Sequence, residues 1–182
     1  LAAAGGDAVA IFTENEQDGE RLIKSILDSG AFEKFILSDR MINKSIEKKF
    51  GKFINNSFGI IPGSNSKNIN SFNKIAQNNN IEVSGLFIGE SYDAAALLVL
   101  ALQEKYFKSN NNLSKNIMSV SSSPGTKIYP GEIAKGLKLL KNGKKINYEG
   151  ATNVELDING DALGTFLEKE VSRGKFRTRQ KR

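Results

Sequence analysis

Neither cysteine nor histidine occurs among the 182 residues. Disulfides, thiol nucleophiles, zinc held by thiolate or imidazole, and histidine general bases are therefore excluded, which removes most enzyme mechanisms at once. The missing cysteine suits an oxidising compartment and a reducing one alike. Long apolar runs are also missing: the longest, Ala94 to Leu102, is far below the roughly 20 residues that span a bilayer. No positively charged leader, apolar segment and small-residue cleavage site open the chain at Leu1, so export cannot be read from these residues. Acidic residues are missing from the last ten positions, which carry six basic ones; that tail accounts for the whole formal net charge of +6.

Apolar residues make up 39% of the chain and charged residues 25%, an ordinary globular composition. Length allows one domain or two small lobes. Asp7 to Thr13 reads as a buried parallel strand. From Glu16 to Ser29, Leu22, Ile23, Ile26 and Leu27 recur at helical spacing and Gly30 stands at the C-cap. Lys34 to Leu37 is the next strand, completing a βαβ unit with its usual right-handed crossover.

Asn43 to Phe50 reads as a short helix and Phe58 to Ile61 as a strand stopped by Pro62-Gly63, with a linker or hinge over Gly63 to Asn68. Ile69 to Asn78 is weakly amphipathic. Glu90 to Phe107 is a strong helix, with Ser91 as N-cap and apolar positions so continuous that burial on nearly every face is expected. Asn116 to Val120 reads as a short helix, Ser121 to Pro130 as a turn-rich loop, Glu132 to Lys141 as a helix, and Val154 to Leu156 and Leu163 to Val171 as strands. Asn159-Gly160 is a hairpin dipeptide. No internal repeat is visible, and neither phosphate-binding glycine motif is present.

Three segments carry more information than the rest: Tyr92-Asp93-Ala94-Ala95-Ala96-Leu97-Leu98-Val99-Leu100-Ala101-Leu102-Gln103, Tyr148-Glu149-Gly150-Ala151, and Asp157-Ile158-Asn159-Gly160-Asp161. In that order and spacing they resemble the substrate-binding proteins of branched-chain amino acid and amide ABC transporters, the type I periplasmic binding proteins. Gly6 to Thr13 followed by Asp18-Gly19 through Gly30, and Pro124-Gly125-Thr126 followed by Pro130-Gly131-Glu132, fit the same pattern. The resemblance runs from about Leu1 to Lys175 and corresponds to the C-terminal portion of the family's chain.

The resemblance implies an α/β fold of the periplasmic binding protein-like I class, two-lobed parallel sheets flanked by helices, here truncated at the N-terminus. Residues 1–61 and 163–182 would belong to the second lobe and 62–162 to a mainly helical return segment of the first, whose helices would lack their sheet. The implied function is the extracytoplasmic, periplasmic component of an ABC transporter. It would bind an amino acid, amide or similar small polar solute by hinge closure and hand it to a permease, with no catalysis and no cofactor. The same fold also serves as the sensing domain of receptors and transcriptional regulators, and an enzyme fragment is a third class.

In open α/β sheets, ligands lie outside the carboxyl ends of the strands. Thr13, Glu14 and Asn15 follow the first strand here, and Ser38 and Asp39 the second. The family commonly places an acidic residue after that second strand to receive a ligand ammonium group, so Asp39 is the sharpest candidate. The plain alternative is that Asp39-Arg40 is only a solvated turn and surface pair. Glu14 departs from the family's usual aromatic or polar residue, and first-turn helix stabilisation explains it almost as well. Phe87 and Tyr92 flank the start of the long helix, where the family brings a side chain toward the ligand; an aromatic there is more often core.

Asp157-x-Asn159-x-Asp161, with Glu168 eleven residues on, imitates a calcium loop. Ala162 stands where the loop needs glycine and the flanks read as strands, so a hairpin turn is the better reading and no metal is expected. The basic tail from Arg173 could touch nucleic acid or anionic lipid, yet no reader motif accompanies it and a frayed terminus is expected, without nucleic acid as a partner. Finally, the apolar helix Glu90 to Phe107 needs a cover. A homodimer of this chain is the expected one, by exchange near Gly63 to Asn68 or through Ala94, Leu97, Leu98 and Ala101.

Overall fold

The computed structural model describes residues 3, 5–63, 67–83, 85–108, 112–122, 124–162 and 164–179. The chain divides into two units, Leu1–Pro62 with Phe166–Arg182, and Gly63–Thr165.

The first unit is built on strands β1 (Val9–Ile11), β2 (Phe35–Leu37) and β3 (Phe58–Pro62), which are parallel, and β6 (Phe166–Ser172) and β7 (Lys175–Thr178), which continue the sheet antiparallel in the order β1-β2-β3-β6-β7. Helix α1 (Glu16–Asp28) begins where Asn15, in extended conformation, accepts a 2.9 Å bond from the Asp18 amide. This is an N-cap, supported by acidic Glu16 and Asp18 against the positive end of the helix dipole. Helix α2 (Lys44–Phe50) is capped the same way by Asn43, which accepts from the Ser45 and Ile46 amides. Glu20 of α1 joins the two helices by accepting from Ser45 and Lys49. That Lys49 bond, first among its causes, holds the Glu20 carboxyl below its ordinary pKa.

Both helices lie over one face of the sheet. Ile23, Ile26, Met41 and Ile46 close on Ile11, Phe35, Leu37 and Val171 to form the core of this unit. Strand residues alternate faces, and partners across a ladder share one. The register Ala10↔Ile36, Ile36↔Phe58, Ile60↔Glu168 and Pro62↔Phe166 therefore assembles the opposite face. There Ile60 and Phe166 remain 56% and 65% exposed.

The second unit contains α3 (Lys67–Asn78), α4 (Ile88–Lys108), α5 (Leu113–Ser121), β4 (Thr126–Ile128), α6 (Ile133–Lys141) and β5 (Ile146–Tyr148). Its strands form a parallel pair, and α4, α5 and α6 pack over it through Leu97, Leu100, Val120, Ile128, Leu140 and Ile146. The helices thus have a sheet of their own, contrary to expectation from the sequence: β4 was hidden in a turn-rich stretch and β5 in the polar run Lys144 to Glu149.

Helix α4 also differs from expectation. It starts at Ile88, so Ser91 lies inside it and not at the cap. It buries one stripe, Gly89, Asp93, Ala96, Leu97, Leu100, Ala101 and Glu104, at helical spacing, while Leu98, Val99 and Leu102 stay about half exposed. Continuous apolar sequence had concealed an ordinary one-sided helix whose buried stripe includes two carboxylates. Glu104 is tied to α5 by a 3.0 Å bond from Ser119 and pairs with Lys108.

Val154 to Leu156 is no strand; only an isolated bridge, Leu156↔Ala162, closes the turn below it. Within that turn Asp157 accepts from the amides of Asn159 and Asp161 at 2.8 and 2.9 Å, which lowers its pKa. These bonds make it a side-chain-pinned turn, and among the described residues no group of acids is arranged for a metal. Of the expected hinge, residues 64–66 lie outside the described residues, Gly63 precedes them, and Lys67 and Asn68 open α3. Leu163, expected to start a strand, also lies outside them.

Candidate functional site

Because β1 and β2 are parallel, the residues that follow them emerge at one edge. Thr13, Glu14 and Asp39 therefore share the C-terminal edge of the sheet, but their side chains have different surroundings. The Thr13 hydroxyl donates to the Asn15 carbonyl at 2.9 Å and lies 3.6 Å from Met41 Sδ, which commits it to the loop and the core. Glu14 is exposed.

Asp39 opens a 3-10 turn, Asp39–Met41, and accepts from the Arg40 amide at 2.7 Å. Among the described residues its carboxylate pairs with no cation, so of the plain alternative the turn is present and the Asp39-Arg40 ion pair is not.

Asp39 and Ser38 border a depression of about 320 Å³ on the helix-free face of this unit. That volume lies at the small end of ligand sites. Its walls include Phe12, Ile36, Phe58, Ile60 and Phe166. Ser38, at the same border, has a buried hydroxyl oxygen without a hydrogen-bond partner among the described residues. Buried polar atoms are rarely left so. An apolar hollow with one orphaned hydroxyl and one uncompensated carboxylate at its border can hold a small molecule that has an apolar body and a cationic or donor head.

The apolar walls are what the sequence reading missed. Phe12, Ile36, Phe58 and Ile60 lie inside segments read only as strands, and their alternation with Ile11, Leu37 and Gly59 is a usable signal for the open face.

Phe87 and Tyr92 belong to the second unit. Phe87 is half exposed with φ +61, an uncommon backbone for a bulky side chain, and its carbonyl accepts from the Ser91 amide in the first turn of α4. Tyr92 is partly buried. Its ring lies 4.9 Å from that of Phe72 and its hydroxyl accepts from the Gly131 amide at 2.9 Å.

A family model described as the receptor family ligand binding region matches residues 2–167. The chain belongs to this family. Its parallel-rich α/β architecture is that of the type I periplasmic binding proteins. A curated relative, the chemotactic signal transduction system substrate-binding protein BasB of Halobacterium salinarum, is 30% identical over 91 residues, half of this chain and 22% of the relative. The chain therefore spans about a fifth of that relative's length. In open α/β sheets ligands lie outside the carboxyl ends of the strands, and Ser38 and Asp39 follow β2 at that end.

Proposed function

We propose that the protein is an extracytoplasmic solute receptor that binds an amino acid, an amide or a similar small amino-bearing solute and passes it to an ABC permease. The observation that carries this reading is the pairing of an orphaned, buried Ser38 hydroxyl with an unpaired Asp39 carboxylate beside an apolar hollow. Asp39 receives the ammonium group, Ser38 hydrogen-bonds a neighbouring polar atom, and Phe12, Ile36 and Phe58 hold the apolar part. Closure about a hinge, the mechanism that the resemblance implies, then shifts the population toward a transporter-competent form. The protein binds and does no chemistry on its solute.

A second reading is supported by the name of the relative, which belongs to a chemotactic signalling system: the same binding event reports solute to a receptor. Thermal unfolding against a panel of amino acids, amides and their deaminated analogues tests the common part. A true ligand at a hundredfold excess over Kd adds about 2.7 kcal/mol of stability. A panel in which amino-bearing solutes raise Tm no more than their deaminated analogues contradicts the proposal. Transport and sensing then separate by whether deletion abolishes uptake or only the behavioural response.

A further inference from the structure

The basic C-terminal segment, expected to be solvated and partly frayed, is paired from Lys175 to Thr178, while residues 180–182 lie outside the described residues. Lys175–Thr178 forms β7 against β6, and the turn joining them has Arg173 at φ +52 and Gly174 at φ +75. Two consecutive positive φ values are the signature of the tight two-residue hairpin turn, which fixes the direction of the flanking side chains.

That turn is seated on the loop after α2. The Gly174 amide donates to Asn55 at 3.1 Å, the Phe176 amide donates to Glu47 at 2.8 Å, and Lys52 runs alongside Gly174. Two stretches far apart in sequence therefore make one surface. Residues 48–56 and 172–179 contain no acid between them. Glu47, the carboxylate that meets the hairpin, is half-buried and occupied by the Phe176 amide.

On this surface Lys48, Lys52, Arg173 and Lys175 are exposed and form no ion pair among the described residues. Phe53, next in sequence to Lys52, is 65% exposed, with no reason in the core to be aromatic. A solvated basic face needs no phenyl ring. A ring flanked by cations is the composition of surfaces that lie on anionic bilayers, where the aromatic enters the headgroup boundary and the cations meet phosphate. Nucleic acid fits less well, since no groove-reading element or row of stacking aromatics accompanies the charges.

We propose that the surface formed by Lys48, Lys52, Phe53, Arg173 and Lys175 docks this unit on an anionic phospholipid membrane. The contact is electrostatic and shallow, so it is reversible and weakens with salt.

Co-sedimentation of the 182-residue chain with vesicles tests it. Binding is expected to vesicles of phosphatidylglycerol mixed with phosphatidylcholine, and not to phosphatidylcholine alone. Each neutralised cation is expected to weaken binding about fivefold, so a Lys52→Gln, Arg173→Asn, Lys175→Gln variant should lose roughly a hundredfold. Phe53→Ser should weaken it at every salt concentration. The control carries Lys74→Gln, Lys138→Gln and Lys144→Gln, the same charge change on exposed lysines of the other unit. Circular dichroism checks that all variants fold.

Failure to bind anionic vesicles overturns the proposal. So does an equal loss in the control, which reduces the effect to net charge. Binding of a single-stranded oligonucleotide that competes with the vesicles and depends on the same four positions reassigns the surface to nucleic acid.

Discussion

Asp93 and Tyr148 are joined by a 2.8 Å hydrogen bond across 55 residues of sequence, between the buried stripe of α4 and the end of β5. The same carboxylate accepts from the Ala151 amide at 2.7 Å and from both the amide and the hydroxyl of Thr152 at 2.8 and 2.7 Å. Two of the segments that carry the family resemblance are thus one device: a buried acid on a helix that gathers the donors of a turn. Burial, and then the Asp93 charge, push the Tyr148 phenol far above its ordinary pKa, so it serves there only as a donor.

Replacing the acid leaves those donors buried without an acceptor. Asp93→Ala is expected to lower the stability of the second unit by about 3 kcal/mol or more, and Tyr148→Phe by about 2 kcal/mol. Urea denaturation measures both. A loss below 1 kcal/mol for Asp93→Ala would show that water replaces the carboxylate and that the turn is held elsewhere.

Gly150 stands inside this device. Its φ is +58, and a Cβ built on it would sit 2.4 Å from Asp93 Oδ1. Gly143 has a similar φ of +69 but open space around it. Gly143→Ala is expected to cost about 1–2 kcal/mol, the backbone strain alone. Gly150→Ala should cost at least twice that, because the carboxylate has to move. Equal losses in the two variants would mean that the turn relaxes away from Asp93 freely.

The expected homodimer seam needs redrawing, since Leu97 and Ala101 are buried within the chain whereas Leu98, Val99 and Leu102 are open. Self-association is expected to follow the open set. Leu98→Lys with Leu102→Lys should leave stability within about 0.5 kcal/mol and shift sedimentation equilibrium toward one chain. If the chain associates and this variant associates as strongly, the seam lies elsewhere.

Phe87 holds a left-handed backbone that asparagine adopts routinely. Phe87→Asn is expected to leave stability unchanged or raise it by up to about 1 kcal/mol, as read by urea denaturation. A clear loss of stability would show that packing of the ring outweighs the backbone strain.

Legibility in the sequence followed the local strength of each signal. Helix α1 was readable because an apolar stripe and a terminal glycine coincide, and the βαβ start because short β-branched and aromatic runs flank it. Strands β4 and β5 were unreadable because three residues each leave no periodicity, and their pairing spans 20 positions from Thr126 to Ile146. The face of α4 was misread because alanines and leucines fill both its sides; burial there is decided by Asp93 and Glu104, whose partners Tyr148 and Ser119 are remote. At the candidate site Asp39 could be placed from strand order alone. The hollow beside it could not, since it depends on which face of the sheet the helices cover.

The central claim is that Ser38 and Asp39 receive a small amino-bearing solute. Calorimetric titration of the solute that most raises Tm, into the unaltered chain, Ser38→Ala and Asp39→Asn, tests it most directly. Loss of a charge-assisted bond should weaken binding by about 1.5–3 kcal/mol in Asp39→Asn, or roughly ten- to a hundredfold, and loss of the hydroxyl by a smaller amount in Ser38→Ala. Unchanged affinity in both variants, with both folded, would contradict the account and place the solute elsewhere on the protein.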